Sequence, residues 1–194
     1  MALTKNVKLL IGLGALLIVG LMVMSSYNGL VSARTGVETQ ENQVGVAYAR
    51  KLDLIPGLTD LAQQYLKNET EVQARIAALR SGACADPKSL EEQDTCSSQV
   101  TETNNFVIRV VNENYPNLKG IALYENVQTE MVNSQNKIST EQVLYNDAVG
   151  AYNAKVQKFP TNLMAGLFGF EAKPFIGTKS TGGSAAGLGT NNLN

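Results

Sequence analysis

Side chains able to do chemistry are few in this 194-residue chain, and their types exclude more than they suggest. The chain has no His, which removes imidazole-based zinc sites, a Ser-His-Asp triad and a Cys-His dyad. Its two Cys, Cys84 and Cys96, cannot close a structural zinc site alone. They lie in a polar stretch, Ser81-Gly82-Ala83-Cys84-Ala85-Asp86-Pro87 continuing to Thr95-Cys96-Ser97-Ser98, between two helical patterns. Bridged, they would close a loop worth about 3 kcal/mol in chain entropy, and such a bridge persists only in an oxidising compartment. The alternative is a pair of idle thiols on a surface loop. No basic neighbour lowers either thiol pKa toward redox use. Glu91, Glu92 and Asp94 form a small acidic cluster beside Cys96, read as a solvated loop in preference to a weak calcium contact. Asp53 reads as the cap of the next helix. There is no G-x-G-x-x-G, P-loop or H-E-x-x-H, and Gly166-Leu167-Phe168-Gly169 has no following Lys. No catalytic residue, cofactor or metal site is expected. Sixteen Lys+Arg against 17 Asp+Glu leave a formal charge of −1, which argues against nucleic acid as a partner.

The elements that would position these groups begin with an apolar rod. Leu9 to Met24 is sixteen residues without a polar side chain. At ~1.5 Å per residue it covers about 24 Å, and extension from Val7 to Tyr27 reaches the ~30 Å of a hydrocarbon core. Lys8 can snorkel to one surface and Tyr27 suits the other. A cleaved signal peptide is the competing reading, with Val31-Ser32-Ala33 at the cut. Val31 is bulky for that position, and Tyr27-Asn28-Gly29-Leu30 lengthens the run, so a retained anchor is preferred. Lys5 and Lys8 precede the span and only Arg34 follows it closely, which places the N-terminus in the cytoplasm and the body outside.

Pro56, Pro87, Pro116, Pro160 and Pro174 fall at apparent helix boundaries. Between them apolar residues recur at helical spacing. Leu30, Val37, Val44, Tyr48 and Leu52 form one stripe over residues 27–53. Leu58, Leu61, Tyr65, Val72, Ile76 and Leu79 form another over 55–80. Residues 99–114 carry β-prone Phe106-Val107-Ile108, but no partner strand exists, so helix is favoured. Residues 118–159 hold the cleanest period. Tyr124, Met131, Ile138, Tyr145, Tyr152 and Phe159 recur every seven residues, interleaved with Gln128, Gln135, Gln142, Val149 and Val156. This 3-4 seam marks a coiled-coil-like bundle face. The three Gln either set register through partners on facing helices or face water at the bundle edge.

The predicted fold is all-α: a single N-terminal transmembrane helix continuing into an antiparallel up-and-down four-helix bundle with coiled-coil-like packing. Residues 1–6 flank the anchor at 7–27. The bundle covers 28–175 with a Cys-bearing loop at 81–98, and a disordered Gly/Ser/Asn-rich tail covers 176–194. Alternating helix directions would bring the Cys loop and Leu163–Phe170 near the bilayer. Tyr27, Leu163, Met164, Leu167, Phe168 and Phe170 are then interface candidates; the alternative is that Leu163–Phe170 plugs the end of the bundle. Residues 118–159, about 63 Å as a helix, outrun the second helix, so a break or overhang is expected.

Several blocks stand out along the chain: Tyr27-Asn28-Gly29-Leu30-Val31, Arg50-Lys51-Leu52-Asp53-Leu54-Ile55-Pro56-Gly57-Leu58 and Glu113-Asn114-Tyr115-Pro116-Asn117-Leu118-Lys119. Tyr145-Asn146-Asp147-Ala148-Val149, Tyr152-Asn153, Phe159 to Phe170 and Lys173-Pro174-Phe175 continue the series. In this order and spacing they resemble the LemA family of bacterial membrane proteins. Gly57 stands where the family usually has Asn, and the Cys-bearing loop resembles a local insertion. The resemblance implies a membrane anchor, a helical bundle and no established enzyme activity. A relative in magnetosome-forming bacteria, linked to shaping internal membranes, adds a membrane-organising role by analogy.

The expected function is therefore a non-enzymatic, membrane-anchored scaffold of the bacterial cell envelope, single-pass in the cytoplasmic membrane with the bundle outside. Its expected partners are the lipid bilayer and either further copies of itself or an envelope protein. The alternative is a lipid- or small-ligand-binding bundle. An impermeant thiol reagent applied to intact cells should label Cys84 and Cys96 only after reductant is added. Labelling without reductant would remove the bridge, and labelling only after lysis would reverse the topology.

Overall fold

The computed structural model of the protein describes residues 2–177. The tail expected at 176–194 lies outside the described residues apart from Ile176 and Gly177. Among the described residues all regular structure is helical. Six α-helices occur, α1 (Ala2–Leu52), α2 (Ile55–Tyr65), α3 (Thr70–Leu79), α4 (Leu90–Asn114), α5 (Ala122–Gln157) and α6 (Thr161–Phe168), with 3-10 turns at Gly82–Ala85 and Pro116–Gly120.

α1 has 51 residues, about 77 Å of rod. Among the described residues it is the one helix long and apolar enough to cross a membrane, and none of its apolar window is buried in the body. Beyond Tyr27 its inward face settles into a strict period. Leu30, Val37, Val44 and Lys51 are buried at intervals of seven, with Ala33, Gln40 and Ala47 between them on the same face. α5 supplies the facing seam. Lys155 Nζ donates to Gly29 O (3.3 Å), Gln142 Nε2 to Tyr48 OH (2.8 Å), and Lys51 Nζ to Gln135 Oε1 (2.6 Å). The partner number falls along α5 as it rises along α1, so these two helices pack in opposite chain directions.

The break after α1 is a kink and not a reversal. Asp53 N donates to Ala49 O (2.9 Å), Leu54 N to Lys51 O (3.1 Å) and Leu58 N to Leu54 O (3.0 Å). Leu54 stays helical at φ −83°, ψ −12°. Pro56 lies in the first turn of α2, where its missing N–H costs least. This corrects two expectations: Asp53 makes no capping bond, because Leu54 occupies the cap position, and residues 55–80 are not one helix. The chain turns back at residues 66–69. Leu66 is fully buried there, and Gln73 Nε2 donates to the carbonyls of Ala62 and Leu66 (both 3.1 Å), which also accept from the backbone N–H groups of Leu66 and Glu69.

α3 then runs beside α4. Tyr115 OH donates to Glu69 Oε1 (2.9 Å), the Arg75 guanidinium lies 4.5 Å from the Phe106 ring centroid, and Cys84 is bridged to Cys96. α4 starts at Leu90, within the stretch expected as loop. Ser89 Oγ accepts from Glu92 N (3.1 Å) and Glu92 Oε2 accepts from Lys88 N (2.6 Å), a variant of the capping box. Glu91 and Glu92 therefore occupy a first helical turn, where the helix dipole favours carboxylates, and not a solvated loop. The Cys loop is also not beside the exposed apolar end of α1, where it was expected. Gln93 approaches Gly45, and Asp94 bonds Tyr48, about 30 Å up the helix from Tyr27. With ten residues, α3 is too short to return farther.

The 36 residues of α5, about 54 Å, are matched by α1 beyond Tyr27 plus α2, about 57 Å. No break in α5 is needed. Two apolar clusters result. The distal one joins Leu58, Leu61, Val72, Ile76, Val107, Val111 and Met131 from α2 to α5. The proximal one joins Leu30, Val37 and Val44 of α1 to Ile138, Tyr145, Val149 and Tyr152 of α5, with Ala165 and Phe170.

Candidate functional site

Between the two apolar clusters lies a polar layer. Lys51 continues the seven-residue period of Leu30, Val37 and Val44, so the α1 backbone delivers its side chain to the seam. The residue is 1% exposed. Nζ donates to Thr101 Oγ1 on α4 (2.5 Å) and to Gln135 Oε1 on α5 (2.6 Å). One turn earlier, Tyr48 OH donates to Asp94 Oδ1 (2.6 Å) and accepts from Gln142 Nε2 (2.8 Å). Burial lowers the Lys51 pKa to about 8, partly opposed by the Asp94 carboxylate. Burial and the bond to Asp94 raise that of Tyr48. A cleft of about 320 Å³ opens beside the layer, lined by Lys51, Asp94, Ser97, Thr101, Glu102 and Gln142 among others. In this layer the Lys51 amine faces the Thr101 hydroxyl and the Gln135 amide, and the Asp94 carboxylate accepts from Tyr48.

All three seam Gln have partners on facing helices, as Gln128 exchanges two 3.0 Å bonds with Asn104 of α4. Tyr124, Met131, Ile138, Tyr145, Val149 and Tyr152 are buried, and Val156 is half-buried. Phe159 is not a seam residue. α5 ends at Gln157, and Phe159 is 74% exposed.

A second constellation docks the C-terminal segment. α6 ends at Gly169 in the left-handed conformation (φ 70°), and Phe170 N donates to Ala165 O (2.9 Å). The chain then runs back along α5. Asn153 Nδ2 donates to Lys173 O (2.9 Å) and Oδ1 accepts from Lys173 N (2.8 Å). Asn146, one heptad earlier, repeats the pair with Ile176 at 2.9 and 3.0 Å. Tyr145 OH donates to Pro174 O (3.3 Å), and Lys173 Nζ meets Glu41 on α1 (3.3 Å).

Of the interface candidates, Met164 and Phe170 turn inward against the proximal cluster. Leu163, Leu167 and Phe168 remain exposed, and Tyr27 contacts Phe168 and Phe170 edge-on at 4.9 and 5.9 Å. The segment is thus plug on one face and open on the other. Sequence reasoning missed Lys51 and the two Asn clamps. Their signals were present, as a Lys on the α1 heptad and an Asn pair spaced by seven.

The chain matches the LemA family over residues 40–185. Magnetosome proteins MamQ 2 and MamQ 1 of Paramagnetospirillum magneticum are each 29% identical to it over 75 residues, 39% of this chain and 28% of theirs. The chain therefore spans well under two thirds of the length of those relatives.

Folded Lys51 gives up its proton near pH 8 and unfolded Lys51 near its ordinary 10.5. Between these values the unfolded chain binds the extra proton, so stability rises with pH. Denaturation from pH 8 to 10 should show the protein gaining about 1–2 kcal/mol relative to Lys51→Met. Above that window the raised Tyr48 acts in the opposite sense. Asn153→Ala removes both bonds to Lys173, a loss of about 1–3 kcal/mol. Hydrogen exchange should speed up across residues 170–177 and stay slow in the centre of α5.

Proposed function

Since the chain belongs to the LemA family, we propose that this membrane-associated helical protein is a non-enzymatic scaffold of the bacterial cell envelope. The observation that carries the reading is that one helix is both membrane span and bundle member. α1 passes from an exposed apolar run into the buried seam without interruption, so the body is a rigid extension of the anchor. The body is an up-and-down bundle of four passes: α1 with α2, then α3, α4 and α5. It stands outside the cytoplasmic membrane, in keeping with Lys5 and Lys8 before the span and with a disulfide between Cys84 and Cys96.

A scaffold needs contact surfaces along its length. Val132, Val143 and Leu144 on α5 and Val46 on α1 are exposed apolar side chains on an otherwise polar rod. They serve self-association or an envelope partner. A role in organising membrane follows by analogy with the magnetosome relatives.

Cross-linking in native membranes followed by size analysis should give dimers or larger species, or a discrete hetero-complex. Val143→Asp should lower their yield severalfold with the helical content unchanged. A strictly monomeric protein with no co-purifying partner would overturn the scaffold reading.

A further inference from the structure

The exposed face of α6 lies at the end of the membrane span. From Lys8 to Tyr27, α1 covers about 28 Å, the thickness of a hydrocarbon core, and its large apolar side chains over that length are exposed apart from the half-buried Val23. Tyr27 is therefore at headgroup depth, where Tyr is favoured. Its ring touches Phe168, the last residue of α6, at 4.9 Å. α6 is seated by Ala165 and Met164 on its inner face and held by Phe170 just beyond. On its outer face Leu163 and Leu167, one turn apart, are 59% and 72% exposed, and Phe168 is 49% exposed. Phe159, preceding the helix, is 74% exposed. In water this would be a costly concentration of apolar surface at one end of the molecule. Lys155 reaches Gly29 O and Lys158 is exposed beside it, which puts basic groups at the height of lipid phosphates. Glu171 is the acidic neighbour on the same side.

We propose that α6 is a second membrane contact: Leu163, Leu167 and Phe168 enter the headgroup–acyl boundary of the leaflet from which α1 emerges. The bilayer is the surface that covers them, because the helix abutting them continues directly into it. A single span leaves a body free to tilt and spin; a second apolar contact beside it restricts the angle between rod and membrane. The strap that follows, clamped by Asn146 and Asn153, keeps α6 from peeling away from α5. The inference rests on the anchor of the proposed function but not on self-association.

The test uses the full chain in vesicles of phosphatidylcholine and phosphatidylglycerol. The native cysteines are bridged, so single added cysteines at Leu167→Cys, Met24→Cys and, on the exposed side of α4, Asn105→Cys can carry an environment-sensitive fluorophore. Nitroxide lipids should quench the Leu167→Cys and Met24→Cys labels severalfold more than the Asn105→Cys label, and aqueous iodide should show the reverse order. If the Leu167→Cys label follows Asn105→Cys while Met24→Cys stays lipid-quenched, α6 is not in the bilayer and the anchor stands. A Leu167→Cys label shielded from both quenchers would mean protein covers the face, which also overturns the inference. Iodide quenching of Met24→Cys would sink the anchor itself.

Discussion

Lys51 can be buried only where other groups accept its protons, and that requirement joins three helices at one height. Its ammonium needs Thr101 of α4 and Gln135 of α5 together. Tyr48, Asp94 and Gln142 repeat the arrangement a turn below. Apolar seams of Val and Leu can slip by a turn at modest cost, since one methyl packs much like the next. A slip here would leave the buried Lys51 ammonium without its partners and break the Tyr48–Asp94 bond, a loss of several kcal/mol. The layer thus sets register, and the lowered pKa of Lys51 is the stability given up for it. Its position between the two apolar clusters accounts for the division of the core.

With register set, the kink at Asp53-Leu54 determines the proportions of the body. Because hydrogen bonding runs through it, α2 prolongs α1, and together they are long enough to face the whole of α5. α3 is short, so α4 starts far from the exposed apolar end of α1. The capped turn at Ser89 and the bridge between Cys84 and Cys96 close the α3–α4 hairpin at that height. Below it, α1 and α5 lack the cover that α3 and α4 give above. The C-terminal segment supplies it.

That cover relies on an uncommon use of asparagine. Backbone N–H and C=O groups laid against a helix flank find no partners, because the helix has spent its own. Asn153 and Asn146 each offer an amide that both donates and accepts, and their seven-residue spacing puts them on one face. Several residues that carried the family resemblance, Tyr145-Asn146, Asn153 and Lys173-Pro174, are therefore parts of this clamp.

The helical class, the exposed N-terminal span and the heptad seam of α5 were legible in residue order alone, because apolar periodicity reports directly which face of a helix avoids water. Periodicity does not report what that face meets. The interval of seven from Tyr65 to Val72 fits an unbroken helix as well as a turn, and only Gln73 reaching across to Ala62 and Leu66 selects the turn. Pro56 does mark a helix boundary, from the first turn of α2, but residue order alone does not say that the chain continues there as a kink and does not turn back. Phe159 continues the heptad on paper yet lies past the end of α5. Whether Lys51 is a solvated charge or a buried one, and whether an Asn is surface decoration or a clamp, depends on groups 20 to 84 residues away in the chain. Those choices belong to the tertiary structure, because hydrogen bonds are satisfied by position in space and not by distance along the sequence.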